Sequence, residues 1–238
     1  MSKNKRAALV TGVGPGLGAA ICRRLAREGY RVAGMSRSGK GDAALGAELN
    51  HEGEVYTGVH CDVADTEAVT HALEAVAADA GPISVLVHNA GLFAMGPFED
   101  TAPETFEATW RTTFLGAVNC TRCVVPGMLE AGRGVLLYTG ATASVKAGGG
   151  FSAFASAKFA LRGLAQSLAR EYGPRGIHVA HIVVDGMIRG EAALDRFGAG
   201  DAQCLSPNAI AETYLHLIGQ DRSAWTQELD IRPDVETF

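Results

Sequence analysis

The chain has 238 residues, of which 47% are apolar and 20% charged, a balance that suits one globular domain with a sizeable core. A net charge of −5 and an isoelectric point near 5.8 supply no basic surface to displace counterions from nucleic acid or to hold anionic headgroups, so neither partner is expected. No apolar run is long enough to span a bilayer, and the short polar lead of residues 1–6 leaves no room for a signal peptide before the first strand pattern, so the expected location is the cytosol.

Five cysteines (Cys22, Cys61, Cys120, Cys123, Cys204) are odd in number and scattered, which points to reduced thiols. Cys120-x-x-Cys123 lies in a helical pattern with no second ligand pair nearby. It reads as two thiols packed along a helix, and no metal site is expected.

Short runs rich in Val, Ile and Leu at residues 7–11, 31–35, 55–59, 83–87, 135–139, 177–184 and 225–231 read as strands buried on both faces. Between them, Leu17, Ile21 and Leu25, or Leu161, Leu164 and Leu168, recur at helical spacing. Regular alternation of strand and helix means right-handed crossovers and an α/β fold: a doubly wound parallel sheet in a single domain over residues 1–238. Residues 148–150 and 185–207 are the long irregular pieces. The second has the length of a functional loop and is expected to form a substrate lid.

The first strand runs directly into Thr11-Gly12-Val13-Gly14-Pro15-Gly16-Leu17-Gly18 and then into a helix. Glycines let the backbone turn tightly, so a pyrophosphate can approach the amide groups at a helix N-terminus, where the macrodipole favours negative charge. Gly12, Gly14, Gly16, Leu17 and Gly18 are therefore candidates for binding a dinucleotide, and the flanking strand and helix raise the value of an otherwise weak motif.

The spacing T-G-x-x-x-G-x-G, with Asp62-Val63 after the third strand and His88-Asn89-Ala90-Gly91 after the fourth, resembles the short-chain dehydrogenase/reductase family over essentially the whole chain. The resemblance implies a Rossmann fold and an oxidoreductase. It places Gly12, Gly16 and Gly18 at the phosphate turn, Asp62 and Val63 at the adenine, and Ile188 near the nicotinamide carboxamide. Asn89, Ala90 and Gly91 would line the cofactor cleft and brace the central strands. It further implies a homodimer or homotetramer, paired through the helices that begin near Pro103 and Phe151 and through the last strand. At the end of the second strand, where a carboxylate would hold the ribose diol of NAD, the chain has Ser36-Arg37, a hydroxyl and a guanidinium suited to a 2′-phosphate. NADP is thus expected ahead of NAD, unless Arg37 instead stacks on adenine or faces solvent.

The family's catalytic Asn, Ser, Tyr and Lys are mostly missing. Phe154 stands where the tyrosine is expected, one helical turn before Lys158, so both should face the cleft. Thr113 stands at the asparagine position. Thirteen residues before Phe154 lies Ala141, and a shift of one would supply the Thr142 hydroxyl for the serine. Lys158 and Thr142 are thus the candidate catalytic residues. The lost phenol matters, because a positioned general acid contributes roughly 10²–10⁴-fold in rate. Lys158, which by resemblance binds ribose, could also serve as acid or electrostatic stabiliser. Tyr138 reads as packed, His181 as a satisfied core histidine. Asp185-Gly186 replaces the family's frequent Pro-Gly and either reads a cationic or hydroxylated substrate or simply turns the loop. Phe93, Met95, Phe98, Phe151 and Phe154 suggest an apolar pocket wall and hence a hydrophobic substrate. Two functions follow: an NADP(H) oxidoreductase working on an apolar small molecule without the tyrosine acid, or a non-redox homologue that binds the cofactor as sensor or scaffold or reuses the pocket for elimination or isomerisation.

Overall fold

A computed structural model describes residues 6–39, 42–51, 55–190 and 203–236. Seven parallel strands form the central sheet: β1 (Ala7–Thr11), β2 (Arg31–Ser36), β3 (Val55–His60), β4 (Ile83–His88), β5 (Gly134–Thr139), β6 (Ile177–Val184) and a closing strand, Glu228–Ile231, which is β9 in chain order. Their spatial order is β3-β2-β1-β4-β5-β6-β9. The chain therefore winds outward in both directions from β1 and β4, and the crevice at the carboxyl ends of those two strands is where ligands of open α/β sheets bind.

Alternation along the strands sends successive side chains to opposite faces. Ala8 and Val10 of β1 join the layer beneath α1 (Leu17–Arg27), α2 (Asp42–His51) and α7 (Pro207–Ile218), whereas Ala7 and Leu9 join the layer beneath α3 (Thr66–Ala80), α5 (Gly116–Glu130) and α6 (Ser152–Tyr172). All eight residues of β6 are buried, as a central strand covered on both faces requires. Leu17, Ile21 and Leu25 are buried along one face of α1, and Leu161 is buried on α6 with Leu164 and Leu168 packed at its margin.

Helix α4 (Pro103–Trp110) continues into α5 through a π-helical turn at Arg111–Leu115. Such wide turns in otherwise regular helices often mark functional sites, and this one carries Thr113.

Two expectations need correction. The last strand begins at Glu228 and not at Trp225, because the backbone of Thr226 is held by side chains: its N–H donates to Gln220 Oε1 at 2.9 Å, and His178 Nε2 donates to its carbonyl at 2.8 Å. Trp225 stacks on the His178 ring, with centroids 4.9 Å apart. The 185–207 stretch is not wholly irregular. Met187–Ile188 (β7) and Cys204–Leu205 (β8) form a short parallel pair, and α7 starts at Pro207; of the expected lid, residues 185–207, residues 191–202 lie outside the described residues. All five cysteines are free thiols, and no cluster that could hold a metal ion occurs among the described residues. No described helix is long and apolar enough to cross a membrane.

The tightest constraint on the crevice is Gly12. Its φ is +71°, and a Cβ there would lie 2.6 Å from the backbone of Ala90. Left-handed strain and overpacking each cost a non-glycine residue about 1–3 kcal/mol, so Gly12→Ala should lose about 3 kcal/mol and roughly 10 °C of thermal midpoint. A calorimetric scan of the variant beside the parent checks this.

Candidate active site

The phosphate turn is shaped for a ligand larger than its own side chains. A Cβ on Gly14 or Gly16 would meet nothing within 4 Å, whereas one on Gly18 would strike the Gly12 carbonyl at 2.6 Å. Space is thus left beside the turn while the helix closes tightly on the strand. Gly16 caps α1 without any side-chain hydrogen bond, and the first turn holds no acidic residue. Those backbone amides and the positive end of the helix are left for an anion, so the residues present fit the pyrophosphate of a dinucleotide. The Leu17 side chain is buried in the core, so what it offers a ligand is its backbone. Beyond the turn, Ser36, Arg37, Asp62, Val63, Ala90 and Gly91 border a cavity of about 170 Å³.

Ser36 does not offer the donor expected of it. Its hydroxyl donates to Asp42 Oδ2 at 2.6 Å and accepts from Gly39 N at 3.1 Å. A serine has one hydroxyl proton, so Arg37 is left as the charged donor at this end of the cavity. Asp42, which also accepts from Tyr56 Oη at 3.3 Å, escaped the sequence reading because it enters from the start of α2, six residues further along.

At the centre of the crevice lies a buried imidazole whose importance the sequence did not announce. Thr11 Oγ1 and His88 Nδ1 are 3.0 Å apart, and His88 Nε2 is 3.2 Å from the Thr113 carbonyl. A carbonyl only accepts, so Nε2 carries the proton and Nδ1 accepts from Thr11. Burial, assisted by the nearby Lys158 charge, pushes the His88 pKa down to about 3, which keeps the ring neutral in this arrangement. Thr11 Oγ1 also accepts from Ala90 N at 3.3 Å, Thr113 Oγ1 accepts from Leu92 N at 3.3 Å, and Asn89 Nδ2 donates to the Gly12 carbonyl at 3.0 Å. Asn89 thereby ties the end of β4 to the phosphate turn. The Thr113 hydroxyl is fully buried and accepts from the Leu92 amide.

Lys158 is buried on α6, and its Nζ donates to the Thr139 carbonyl at 2.7 Å. Loss of solvent lowers its pKa to about 8. A Cβ on Gly91 would lie 3.6 Å from both Lys158 Nζ and Thr113 Oγ1, so the lysine, the π-helical turn and the cofactor cavity converge at that glycine. The Phe154 ring centre stands 5.6 Å from the ammonium. Phe154 packs on Phe93 with centroids 5.2 Å apart, and Phe93 meets Phe151 edge-on at 6.0 Å. Phe98 does not join this wall. It sits in a one-turn 3-10 helix, 70% exposed, edge-on to Phe106 of α4 at 6.0 Å. Met95, 58% exposed, borders a 580 Å³ cleft with Phe93.

Of the other candidate proton donors, Tyr138 is fully buried with its hydroxyl 2.7 Å from Thr121 Oγ1. His181 is only half satisfied: Nδ1 bonds Glu228 Oε2 at 3.0 Å, whereas buried Nε2 has no hydrogen-bond partner and abuts Gly140. Burial drops its pKa to about 4. Ala141 is extended, and its amide donates to the buried Ser144 hydroxyl at 3.0 Å. Thr142 opens a single 3-10 turn, and its hydroxyl donates to Asp185 Oδ1. The other Asp185 oxygen is 3.3 Å from Arg232 Nη2. Ile188, in β7, packs against the core layer that holds α1 and α7.

Residues 6–195 match the family profile described as short chain dehydrogenase. The chain is 35% identical over 174 residues to D-threitol dehydrogenase of Mycolicibacterium smegmatis, spanning 73% of this chain and 67% of that one. It is 34% identical over 199 residues to the 3-oxoacyl-[acyl-carrier-protein] reductase MabA of Mycobacterium avium, spanning 82% and 73%. Among solved structures, a short-chain dehydrogenase from Rhodopseudomonas palustris superposes with a TM-score of 0.85 at 35% identity, covering 97% of this chain and 99% of that one. An alcohol dehydrogenase from the archaeon Thermococcus sibiricus, complexed with 5-hydroxy-NADP, gives 0.89 at 26% identity and covers 98% of each. With the doubly wound sheet, the glycine turn on β1 and the buried lysine on α6 already in place, these likenesses establish that the chain belongs to the short-chain dehydrogenase/reductase family.

Proposed function

We propose that this protein is an NADP(H)-dependent oxidoreductase that acts on an apolar small molecule without a tyrosine acid. The observation that carries the proposal is the convergence at Gly91, which borders the cavity beyond the phosphate turn and also approaches Lys158 Nζ. A bound nicotinamide dinucleotide would supply the hydride acceptor or donor. Lys158, with a pKa near 8, can hold or release a proton close to neutral pH. The Phe154 ring stands beside its ammonium, and together with Phe93 and Phe151 it favours an apolar substrate body. Relatives named as dehydrogenases and reductases favour redox chemistry.

A non-redox reading has its own support. Phe154 and Ala141 carry no hydroxyl, so neither side chain can donate a proton. NADPH absorbance followed across a panel of apolar carbonyls and alcohols separates the two readings.

For the cofactor, NADP-bound relatives of the same fold support NADP(H), and Arg37 is the residue that discriminates, since Ser36 is engaged by Asp42. Arg37→Ala should erase a preference for NADPH over NADH of about 10–100-fold, the worth of one charge-assisted phosphate contact of about 1.5–3 kcal/mol. Fluorescence titration with both nucleotides measures it, and equal affinities in the parent contradict the assignment.

Phe154→Tyr should raise carbonyl reduction, because a phenol beside the Lys158 ammonium can donate to a developing alkoxide. The gain should fall short of about 10²–10⁴-fold while Ala141 provides no hydroxyl, and Ala141→Ser should help more on top of Phe154→Tyr than alone. Steady-state rates of the parent, both single variants and the double variant check this. Brisk parental reduction that Phe154→Tyr leaves unchanged would refute the reading of Phe154 as a lost donor.

Half-exposed Trp110 on α4 and Phe159 on α6 leave apolar surface on two helices packed against each other, in keeping with a homodimer or homotetramer built on these helices. Light scattering at micromolar concentration should give at least twice the 24.8 kDa chain mass.

A further inference from the structure

We infer that the cleft beside the Phe93–Phe154 stack selects molecules in which an apolar body carries a protonated amine. The inference rests on the redox reading above for the reacting end of such a molecule and names the chemistry of its other end. The cleft has a volume of 580 Å³. One wall comes from the segment between Phe93 and Thr105, which joins β4 to α4, and the other from Gly150 with Ser152 and Ala153 at the start of α6. The Gly96 N–H donates to the Gly150 carbonyl at 2.9 Å and ties the two walls together. The cleft also adjoins the reacting centre, since Phe93 packs on Phe154, whose ring stands 5.6 Å from the Lys158 ammonium.

Charge decides what can lie there. Asp100 is the one ionisable side chain among the described residues that border the cleft. Beside it, the Thr101 hydroxyl donates its proton to the Pro97 carbonyl at 2.7 Å, so toward a ligand it only accepts. A carboxylate and an acceptor-only hydroxyl suit a group that is positive and donates, and a protonated amine is both. A carboxylate or ketone oxygen at that place would meet only lone pairs. The exposed Phe93 ring can attract the same cation through its face, and the Met95 thioether can adapt to an apolar body. Helix α6 has no acidic residue in its first turn, so its positive end is left on the other wall. The field between that helix end and Asp100 turns the ammonium toward Asp100 and a carbonyl oxygen toward α6.

The test compares two ketones of nearly the same shape, 4-(aminomethyl)acetophenone, a cation at neutral pH, and 4-ethylacetophenone, which is neutral. In ligand-observed NMR titrations of the full chain at low salt, the parent should bind the cation about fivefold more tightly, the worth of one solvent-screened ion pair. Asp100→Asn should abolish the preference, and high salt should weaken it. Glu99→Gln should retain it, because Glu99 is exposed in the same 3-10 turn but does not border the cleft. In NADPH-linked reduction, Asp100→Asn should raise KM for the cationic ketone about fivefold and leave kcat unchanged, with neither constant moving for the neutral ketone. Equal binding of the two ketones by the parent, a preference that survives in Asp100→Asn, or one that Glu99→Gln removes as fully, would overturn the inference and leave the redox reading standing. A preference for the cation with no nicotinamide-linked turnover in the parent or in Phe154→Tyr would support the selectivity of the cleft and overturn the redox reading.

Discussion

One neutral imidazole holds the crevice in register. His88 ends β4, accepts from Thr11 at the end of β1 and donates to the Thr113 carbonyl in the π-helical turn between α4 and α5. Each ring nitrogen has one role, and burial keeps the ring from taking a second proton that would reverse one of them. Every group in this chain is buried, so a broken link would strand polar atoms at about 1–3 kcal/mol apiece. The floor of the cofactor cleft and the long helical rod beside it are thereby fixed to each other. Gly91 then stands against both Lys158 and Thr113, and Leu92 is bonded to Thr113.

Lys158 depends on that frame. An ammonium without water is costly, and Lys158 Nζ donates to the Thr139 carbonyl. The depressed pKa reflects this cost. A phenol at position 154 would have offered the ammonium a partner and the substrate a proton. The phenyl ring offers only its π face, at 5.6 Å. Nearby, the Thr142 hydroxyl is turned onto the Asp185 carboxylate.

The nucleotide end shows a similar redistribution. Ser36 and Arg37 look like a phosphate clamp, yet the serine is drawn back onto Asp42 and the Gly39 amide and helps to close the β2–α2 corner. The carboxylate that the sequence lacks at the strand end is supplied from the next helix. Asp42 is itself engaged by the Ser36 and Tyr56 hydroxyls, and Arg37 remains as the charged donor bordering the cavity.

The fold was legible in the sequence because its cause is local and periodic. Val- and Leu-rich runs alternate with helical spacing, and the strand–turn–helix around Gly12 to Gly18 has few other structural solutions; β1 and β6 fall where the pattern places them. The last strand was overextended at Trp225 because the pattern does not show that Gln220 and His178 capture the backbone of Thr226. The nearness of Phe154 to Lys158 could also be read directly, since four residues on a helix make one turn, and the ring centre does stand 5.6 Å from the ammonium. Only the tertiary structure decided where the remaining polar protons point. Ser36 meets Asp42, His88 meets Thr113 across 25 positions, and Thr142 meets Asp185 across 43. Hydrogen-bond direction depends on which partners share a desolvated space, and no local pattern of residue types records that.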